Sequence, residues 1–82
     1  MNGSTHWTDA PTDLSDEIGE AARAIRQERN ITTRIFAARL GTTPEEARDI
    51  EEGRVSLTTS DISLLSDALG VGVGRLLERA TR

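Results

Sequence analysis

The sequence contains no cysteine and no lysine, and its aromatic residues are a single tryptophan and a single phenylalanine. The absence of cysteine excludes disulfides, thiolate metal sites and a cysteine nucleophile. The same absence fits a protein of a reducing compartment. No apolar stretch approaches the roughly 18 residues of a membrane span, and the first residues lack the basic and apolar regions of a signal peptide. We therefore expect a cytoplasmic protein that is neither exported nor embedded in a membrane.

An enzyme is the least expected class of protein. The chain has one histidine, His6, and no serine placed in a nucleophile motif, so it lacks an activated nucleophile and its base. No second histidine stands at a metal-binding spacing from His6, and we expect neither a metal nor a cofactor. Neighbouring acidic residues such as Glu45 and Glu46 point to different sides of a helix and form no acid/base pair.

At 82 residues, with 35% hydrophobic and 29% charged residues, the chain forms one small domain. A domain of this size buries only roughly 60% of its unfolded surface, so we expect an economical core. Because Trp7 and Phe36 are the only aromatic residues, that core must consist of Ile, Leu, Val and Ala, which favours helices over sheets. The net charge of -4 disfavours indiscriminate binding to polyanions but allows a local basic patch.

The first twelve residues are small or polar and show no apolar period. They predict a flexible N-terminal arm over residues 1–12, followed by a single domain over residues 13–82. Trp7 is the exception in this arm, and two roles for it stay open: packing back onto the small core, or binding a partner.

Apolar residues recur at helical spacing in five segments, which predicts an all-α fold without strands. The first helix begins near Leu14, where Asp13 or Ser15 can cap it, and its acidic residues precede its basic ones, as the helix dipole favours. A fourth helix is expected within residues 58–70 and a last short one at 73–80.

Residues 32–53 predict two short capped helices joined by a tight glycine turn, which is a helix-turn-helix. Gly41 permits the left-handed exit from the second helix. The third helix, over 44–52, starts with Thr43 as its cap, a proline at its first position, and Glu46, which can complete a capping box. The buried side of the second helix is expected to carry Ile35, Phe36, Ala38 or Ala37, and Leu40.

Four fragments of the chain follow one another in a recognisable order: Ala-Ile-Arg-Gln-Glu-Arg-Asn-Ile-Thr, Phe-Ala-Ala-Arg-Leu-Gly-Thr-Thr, Ile-Glu-Glu-Gly-Arg and Leu-Leu-Ser-Asp-Ala-Leu-Gly-Val. Their order and spacing over residues 18–77 resemble the lambda-repressor-like, xenobiotic-response-element (Cro/C1-type) helix-turn-helix family. The resemblance implies a compact five-helix domain with the helix-turn-helix at helices 2 and 3. It also implies a sequence-specific, repressor-like regulator of bacterial or phage origin that binds double-stranded DNA.

In this family the DNA-contacting surface comprises the amino end of helix 2, the amino half of helix 3 and the loop after it. Carried over by position and charge, the DNA-binding residues implied here are Thr33, Arg34, Arg39, Thr43, Pro44, Glu45, Arg48, Asp49, Arg54 and Ser56. The resemblance further implies a structural ion pair between Arg26 and Glu51, which would tie the first helix to the third.

The third helix departs from the family pattern, because it carries acidic residues where small polar or basic ones are common. In one interpretation Glu45 accepts a hydrogen bond from cytosine N4 and Arg48 contacts guanine or a phosphate. The remaining arginines of the surface then hold the DNA backbone: Arg34, Arg39 and Arg54.

In a second interpretation the carboxylates repel phosphates, and the same face binds a basic protein partner, as in an antitoxin, an anti-repressor or an assembly subunit. A third interpretation needs no partner, because carboxylates in the first turn stabilise any helix by roughly 0.3 to 1 kcal/mol.

A homodimer is expected on the DNA interpretation, since two-fold related copies read half-sites about one DNA turn apart. The glycine run at 70–74 ends the fourth helix and could let the last helix swing. Possible dimer contacts on that helix are Val73, Leu76 and Leu77.

Overall fold

The computed structural model describes residues 12–82, which form five α-helices and no strand. The helices are α1 (Ser15–Glu28), α2 (Thr33–Leu40), α3 (Pro44–Glu51), α4 (Thr59–Leu69) and α5 (Val73–Ala80). The all-α, five-helix prediction is thereby confirmed. His6 and Trp7, on which the sequence raised separate questions, lie outside the described residues. Within residues 12–82 no helix combines the length and the apolar character that crossing a membrane requires.

Threonine hydroxyls start α2 and α4, as the sequence predicts. The Thr32 hydroxyl accepts the N–H of Ile35 at 3.1 Å, and the Thr58 hydroxyl accepts the N–H of Asp61 at 3.2 Å. The Asp61 carboxylate accepts in return the N–H of Thr58 at 2.9 Å, which completes a capping box on α4. These bonds satisfy amides that have no acceptor inside the helix, and they fix where each helix begins.

The start of α3 is capped by Thr43, whose hydroxyl accepts the N–H of Glu46 at 3.1 Å. The second half of the predicted capping box is wrong, however, because the Glu46 carboxylate accepts a hydrogen bond from the hydroxyl of Thr42 instead. The Thr42 hydroxyl, on the residue before the N-cap, thus competes with the backbone N–H of Thr43 for this carboxylate. The helix also ends at Glu51, one residue before the predicted end of the 44–52 segment.

The start of α1 lacks the side-chain cap predicted from Asp13 or Ser15, since Leu14 occupies the N-cap position without a capping hydrogen bond. Ser15 is engaged elsewhere: its hydroxyl donates to the Thr12 carbonyl at 3.1 Å and accepts the N–H of Leu57 at 2.8 Å. The N–H of Thr12 donates to the Leu57 carbonyl at 2.8 Å. Thr12 therefore belongs to the folded domain, which starts at least one residue before the predicted boundary at 13.

The core is built from apolar residues on one side of each helix, together with Leu57 from the loop between α3 and α4. Its buried members are Ile18, Ala21, Ala22, Ile25, Phe36, Ala37, Ala47, Leu57, Ile62, Leu65, Ala68, Leu69 and Leu76. The prediction for α2 was wrong at Ile35, which is 45% exposed, and Ala37 rather than Ala38 faces inward. On an eight-residue helix Phe36, Ala37 and Leu40 already fill the narrow inward stripe, which leaves Ile35 at its edge.

The last helix packs against α1, where a buried leucine and an ion pair hold it. Leu76 is fully buried, and Arg79 Nη2 lies 2.6 Å from Glu28 Oε2. The hydrogen bond from Arg79 holds the pKa of Glu28 below its ordinary value. Leu76 is fully buried in this arrangement of α5, so its role as a dimer contact stays a prediction that requires α5 to move. Val73, 39% exposed, and the half-buried Leu77 stay predicted dimer contacts.

Candidate nucleic-acid interface

A buried ion pair sets the position of α3 relative to α1. Arg26 Nε lies 2.6 Å from Glu51 Oε2, and Arg26 Nη2 lies 3.2 Å from Glu51 Oε1, so the contact is bidentate. The remaining nitrogen, Nη1, donates to the Ile31 carbonyl at 2.8 Å in the turn between α1 and α2. The side chains are only 11% and 4% exposed. This is the pair that the family resemblance implied, and it couples α1, the turn after α1 and the end of α3.

A close approach between backbones makes this ion pair possible. A Cβ at Gly19 would clash with the carbonyl oxygen of Ile50, so α1 and α3 can touch only because position 19 carries no side chain. Arg26 lies seven residues further along α1, on the same face of that helix, and reaches the end of α3. Sequence reasoning missed Gly19, because its partner lies in another helix and a single glycine inside a helix gives no distinctive signal.

The helix-turn-helix itself is formed by α2, the turn at Gly41 and α3. Gly41 has a φ of 76°, a left-handed conformation that favours glycine, and it lets the chain reverse within a few residues. Ala47 on the inner face of α3 is fully buried against the core. On the outer side, Pro44, Glu45 and Arg48 are exposed and Asp49 is half-buried. An eight-residue helix with its outer face uncovered is the shape that enters a DNA major groove.

The loop after α3 contains an arginine that is already held by carboxylates. Arg54 Nη1 lies 2.7 Å from Glu52 Oε1 and 3.4 Å from Asp49 Oδ1. All three side chains are substantially exposed, and exposed ion pairs of this kind stabilise proteins by only about 0 to 1 kcal/mol. The contact is therefore weak. Because two carboxylates face one guanidinium, these three side chains together carry a net negative charge. We call Asp49, Glu52, Arg54 and the exposed Ser56 the α3 edge.

Arg39 is also engaged by the fold. Its Nη1 donates to the Ala68 carbonyl at 2.9 Å, in the last turn of α4. A guanidinium at the carboxyl end of a helix donates to a carbonyl that receives no N–H within the helix. Its positive charge also complements the helix dipole. Arg39 thus ties α2 to α4, a contact between residues 29 positions apart that no local sequence pattern could indicate.

The remaining arginines of this surface come from α1, α2 and α3, and two of them line a pocket with Thr33 at the amino end of α2. Arg34 and Arg48 are exposed, and within residues 12–82 neither has an ion-pair or hydrogen-bond partner. Arg23 of α1 is also exposed and unpaired in the described part of the chain. Together with Thr33 these three arginines form what we call the α2 edge. Sequence reasoning missed Arg23, although its spacing of three residues from Arg26 placed it on a neighbouring part of the same helix.

Two recesses show how charge is divided around these groups. A pocket of about 190 Å³ is lined by Arg23, Arg26, Thr33, Arg48, Glu51 and Glu52. Beside it, a recess of about 380 Å³ is lined by Asp16, Glu17, Glu20, Arg23, Glu51 and Glu52. The first contains three guanidinium groups and two carboxylates, whereas the second contains five carboxylates and one guanidinium. Anions are therefore favoured in the first recess and repelled from the second.

A profile of the helix-turn-helix family matches residues 23–76, which include all of α2, α3 and α4. The chain belongs to this helix-turn-helix family, of the Cro/C1 type. The resemblance inferred from the sequence fragments is thereby confirmed. A search of curated protein sequences found no match.

Solved structures of this family have the same fold. The clp gene regulator ClgR from Corynebacterium glutamicum superposes with a TM-score of 0.79 at 26% identity, over 85% of this chain and 91% of that one. The restriction-modification controller protein C.AhdI from Aeromonas hydrophila gives a TM-score of 0.68 at 22% identity, over 78% and 96%. The controller protein C.Esp1396I, solved as a tetramer with its natural 35 base-pair operator, gives 0.71 at 19% identity, over 87% and 99%.

Proposed function

We propose that this helix-turn-helix protein is a transcription regulator that occupies an operator in double-stranded DNA as a homodimer. The observation that carries the proposal is the exposed outer face of α3, fixed by the Arg26–Glu51 ion pair and bordered by the α2-edge arginines, which have no partner among residues 12–82. Similarity to the regulator ClgR and to a controller protein solved with its operator supports it. Such a protein acts in the cytoplasm of a bacterium, and the proposal assigns it no catalytic step.

The geometry suggests a division of work between the predicted site residues. With α3 in the major groove, Glu45 accepts a hydrogen bond from cytosine N4 and Arg48 reaches a guanine or a nearby phosphate. Thr33 and Arg34 contact the DNA backbone where α2 begins, and Thr43 and Pro44 fix the start of α3 against the groove. Phosphate contacts of this kind set the register, and the base contacts select the sequence.

Dimerisation places two such helices on one face of the duplex. Two-fold related helix-turn-helix units read half-sites about one helical turn apart, so the operator is expected to be a partial palindrome. Val73 lies exposed at the first position of α5, and Leu77 lies one turn further along the same helix. These two residues are the proposed contacts between copies.

The test is selection from a random-sequence duplex library, followed by fluorescence-anisotropy titration of the selected duplex over a series of salt concentrations. The proposal predicts enrichment of a partial palindrome with half-sites about 10 base pairs apart, and an affinity that falls steeply with salt. Sedimentation of the same complex should give two copies of the chain per duplex. Failure to enrich any sequence, together with loss of all binding even at low salt, would contradict the proposal.

A second candidate function is a protein-binding module. The observation in its favour is the α3 edge, where the carboxylates of Asp49 and Glu52 outnumber the single guanidinium of Arg54. Under this alternative the acidic face binds a basic protein, and duplex DNA at low salt does not compete for it. The same titration therefore separates the two functions.

A further inference from the structure

Arg23 is the arginine of the α2 edge that no sequence pattern assigned to DNA. It lies on α1, outside the helix-turn-helix proper, yet it lines the same pocket as Thr33 of α2 and Arg48 of α3. The Arg26–Glu51 ion pair also lines this pocket, and it holds α1 against α3. The fold therefore brings one arginine from α1 and one from α3 into the same pocket as the start of α2.

The charges of this pocket do not cancel. Arg26 and Glu51 neutralise each other through two hydrogen bonds, at 2.6 and 3.2 Å. The Glu52 carboxylate is engaged by Arg54 at 2.7 Å. The guanidinium groups of Arg23 and Arg48 are then left without a carboxylate partner in the described part of the chain.

The shape and the donors of the pocket suit a single phosphate group. A volume of about 190 Å³ is well above the roughly 10 to 15 Å³ of accessible space that one water requires, so the pocket has room for a phosphate group. Guanidinium groups offer forked donors that match two phosphate oxygens at once. On its other side Arg23 borders the acidic recess of Asp16, Glu17 and Glu20, which repels an anion and leaves the shared pocket as the place to bind one.

We infer that Arg23 and Arg48 together clamp one phosphate of the DNA backbone at the amino end of α2, with Arg23 as a contact residue supplied by α1. This inference rests on the proposed DNA-binding function and deepens it. The clamp fixes the angle at which α3 enters the groove, because its two arms come from the two helices that the Arg26–Glu51 pair holds together.

The experiment uses a mixed-sequence duplex of about 30 base pairs, which is three helical turns, because phosphate contacts act on any sequence. Anisotropy titrations over a salt series compare the full chain with Arg23→Gln, Arg48→Gln and the double variant. The matched control is Arg75→Gln, which removes one positive charge from an exposed position on α5. Thermal unfolding of every variant shows that the fold is retained.

The clamp predicts that Arg23→Gln weakens binding several-fold and flattens the dependence of log affinity on log salt by up to about 0.9, the share of one phosphate. The double variant should flatten it by about 0.9 in total and not by about 1.8, because both arginines hold the same phosphate. Arg75→Gln should leave the slope unchanged.

Three results would overturn the clamp while leaving the proposed function intact. Arg23→Gln could bind duplex DNA like the parent, or Arg75→Gln could weaken binding as much as Arg23→Gln does. The third is a double variant whose salt slope flattens by about 1.8. If the parent chain itself binds no duplex at the lowest salt, the proposed function and the clamp both fail. Rescue of the slope by Arg23→Lys, with a weaker affinity than arginine gives, would support a charge contact that prefers a forked donor.

Discussion

The two edges of the helix-turn-helix carry the same residue type in opposite electrostatic settings. On the α2 edge, Arg34 and Arg48 have no carboxylate partner among residues 12–82. On the α3 edge, Arg54 is held by Asp49 and Glu52 at 3.4 and 2.7 Å. The number of arginines near a surface is thus a poor measure of its attraction for DNA, because a phosphate must displace whatever partner each arginine already has.

The difference also explains how a protein with a net charge of -4 can be a DNA-binding regulator. Attraction is concentrated at one edge, and several acidic residues cap a helix, pair with an arginine or line the recess beside α1. Specific binding then depends on orientation. A duplex that approaches along the α2 edge meets guanidinium groups, whereas one that approaches along the α3 edge meets carboxylates.

The largest expected effect concerns the scaffold that both edges share. Glu51→Ala should lower the free energy of unfolding by roughly 3 to 5 kcal/mol, because it leaves the buried Arg26 guanidinium without its partner. For a small domain that is a large part of its whole stability. Urea unfolding followed by circular dichroism measures it, with Glu45→Ala as the exposed control on the same helix. An unchanged midpoint for Glu51→Ala would show that the ion pair does not hold α1 and α3 together.

The next effect compares the edges directly. Arg48→Gln should flatten the salt dependence of duplex binding by up to about 0.9, since it removes one of the two guanidinium groups proposed to hold a phosphate. Arg54→Gln should leave that slope within experimental error, because Arg54 is already paired with carboxylates. Equal flattening by the two substitutions would remove the distinction between the edges.

The α3 edge can also be converted. The double substitution Asp49→Asn, Glu52→Gln removes both partners of Arg54, so the slope should steepen by up to about 0.9 and the affinity should rise. The control changes charge equally at two exposed positions away from the interface, Asp67→Asn with Glu78→Gln. A gain as large in the control would point to net charge alone as the cause.

The smallest effect lies on the far side of the molecule. Because the folded-state pKa of Glu28 is lowered by its bond to Arg79, this pair stabilises the fold above pH 4.5, the ordinary value for that carboxyl. The stabilisation is lost as pH falls below 4.5 through the lowered pKa. Thermal unfolding of the parent and Glu28→Gln should therefore differ slightly at pH 6 and converge in acid. A constant difference at every pH would show that the pair is not formed.

Local features of the fold were predictable from the sequence because they depend on neighbouring residues. Threonine caps, the proline at the start of α3 and the glycine at 41 are short-range signals, and they placed three helices within one residue. The Arg26–Glu51 pair was available only through the family resemblance. The burial of Leu76 was not predictable from the glycine-rich segment before it, because that burial depends on the packing of α5 against α1.

The state of each arginine could not be predicted, because it depends on groups brought together by the fold. Arg39 donates to a carbonyl 29 residues away, and Arg23 lines the same pocket as Arg48 because Gly19 lets α1 and α3 approach closely. Even Arg54, whose partners lie a few residues before it, could equally have pointed away from them. Sequence reasoning predicted an interface, and the structure shows which of its arginines have partners among residues 12–82.

The most direct test of this distinction is a titration of the arginine side-chain Nε–H signals, observed by nuclear magnetic resonance in a nitrogen-15-labelled chain as duplex DNA is added. The account predicts that the signals of Arg23, Arg34 and Arg48 shift together, and that those of Arg54 and Arg75 stay in place. A shift at Arg54 equal to or larger than that at Arg48 would contradict it.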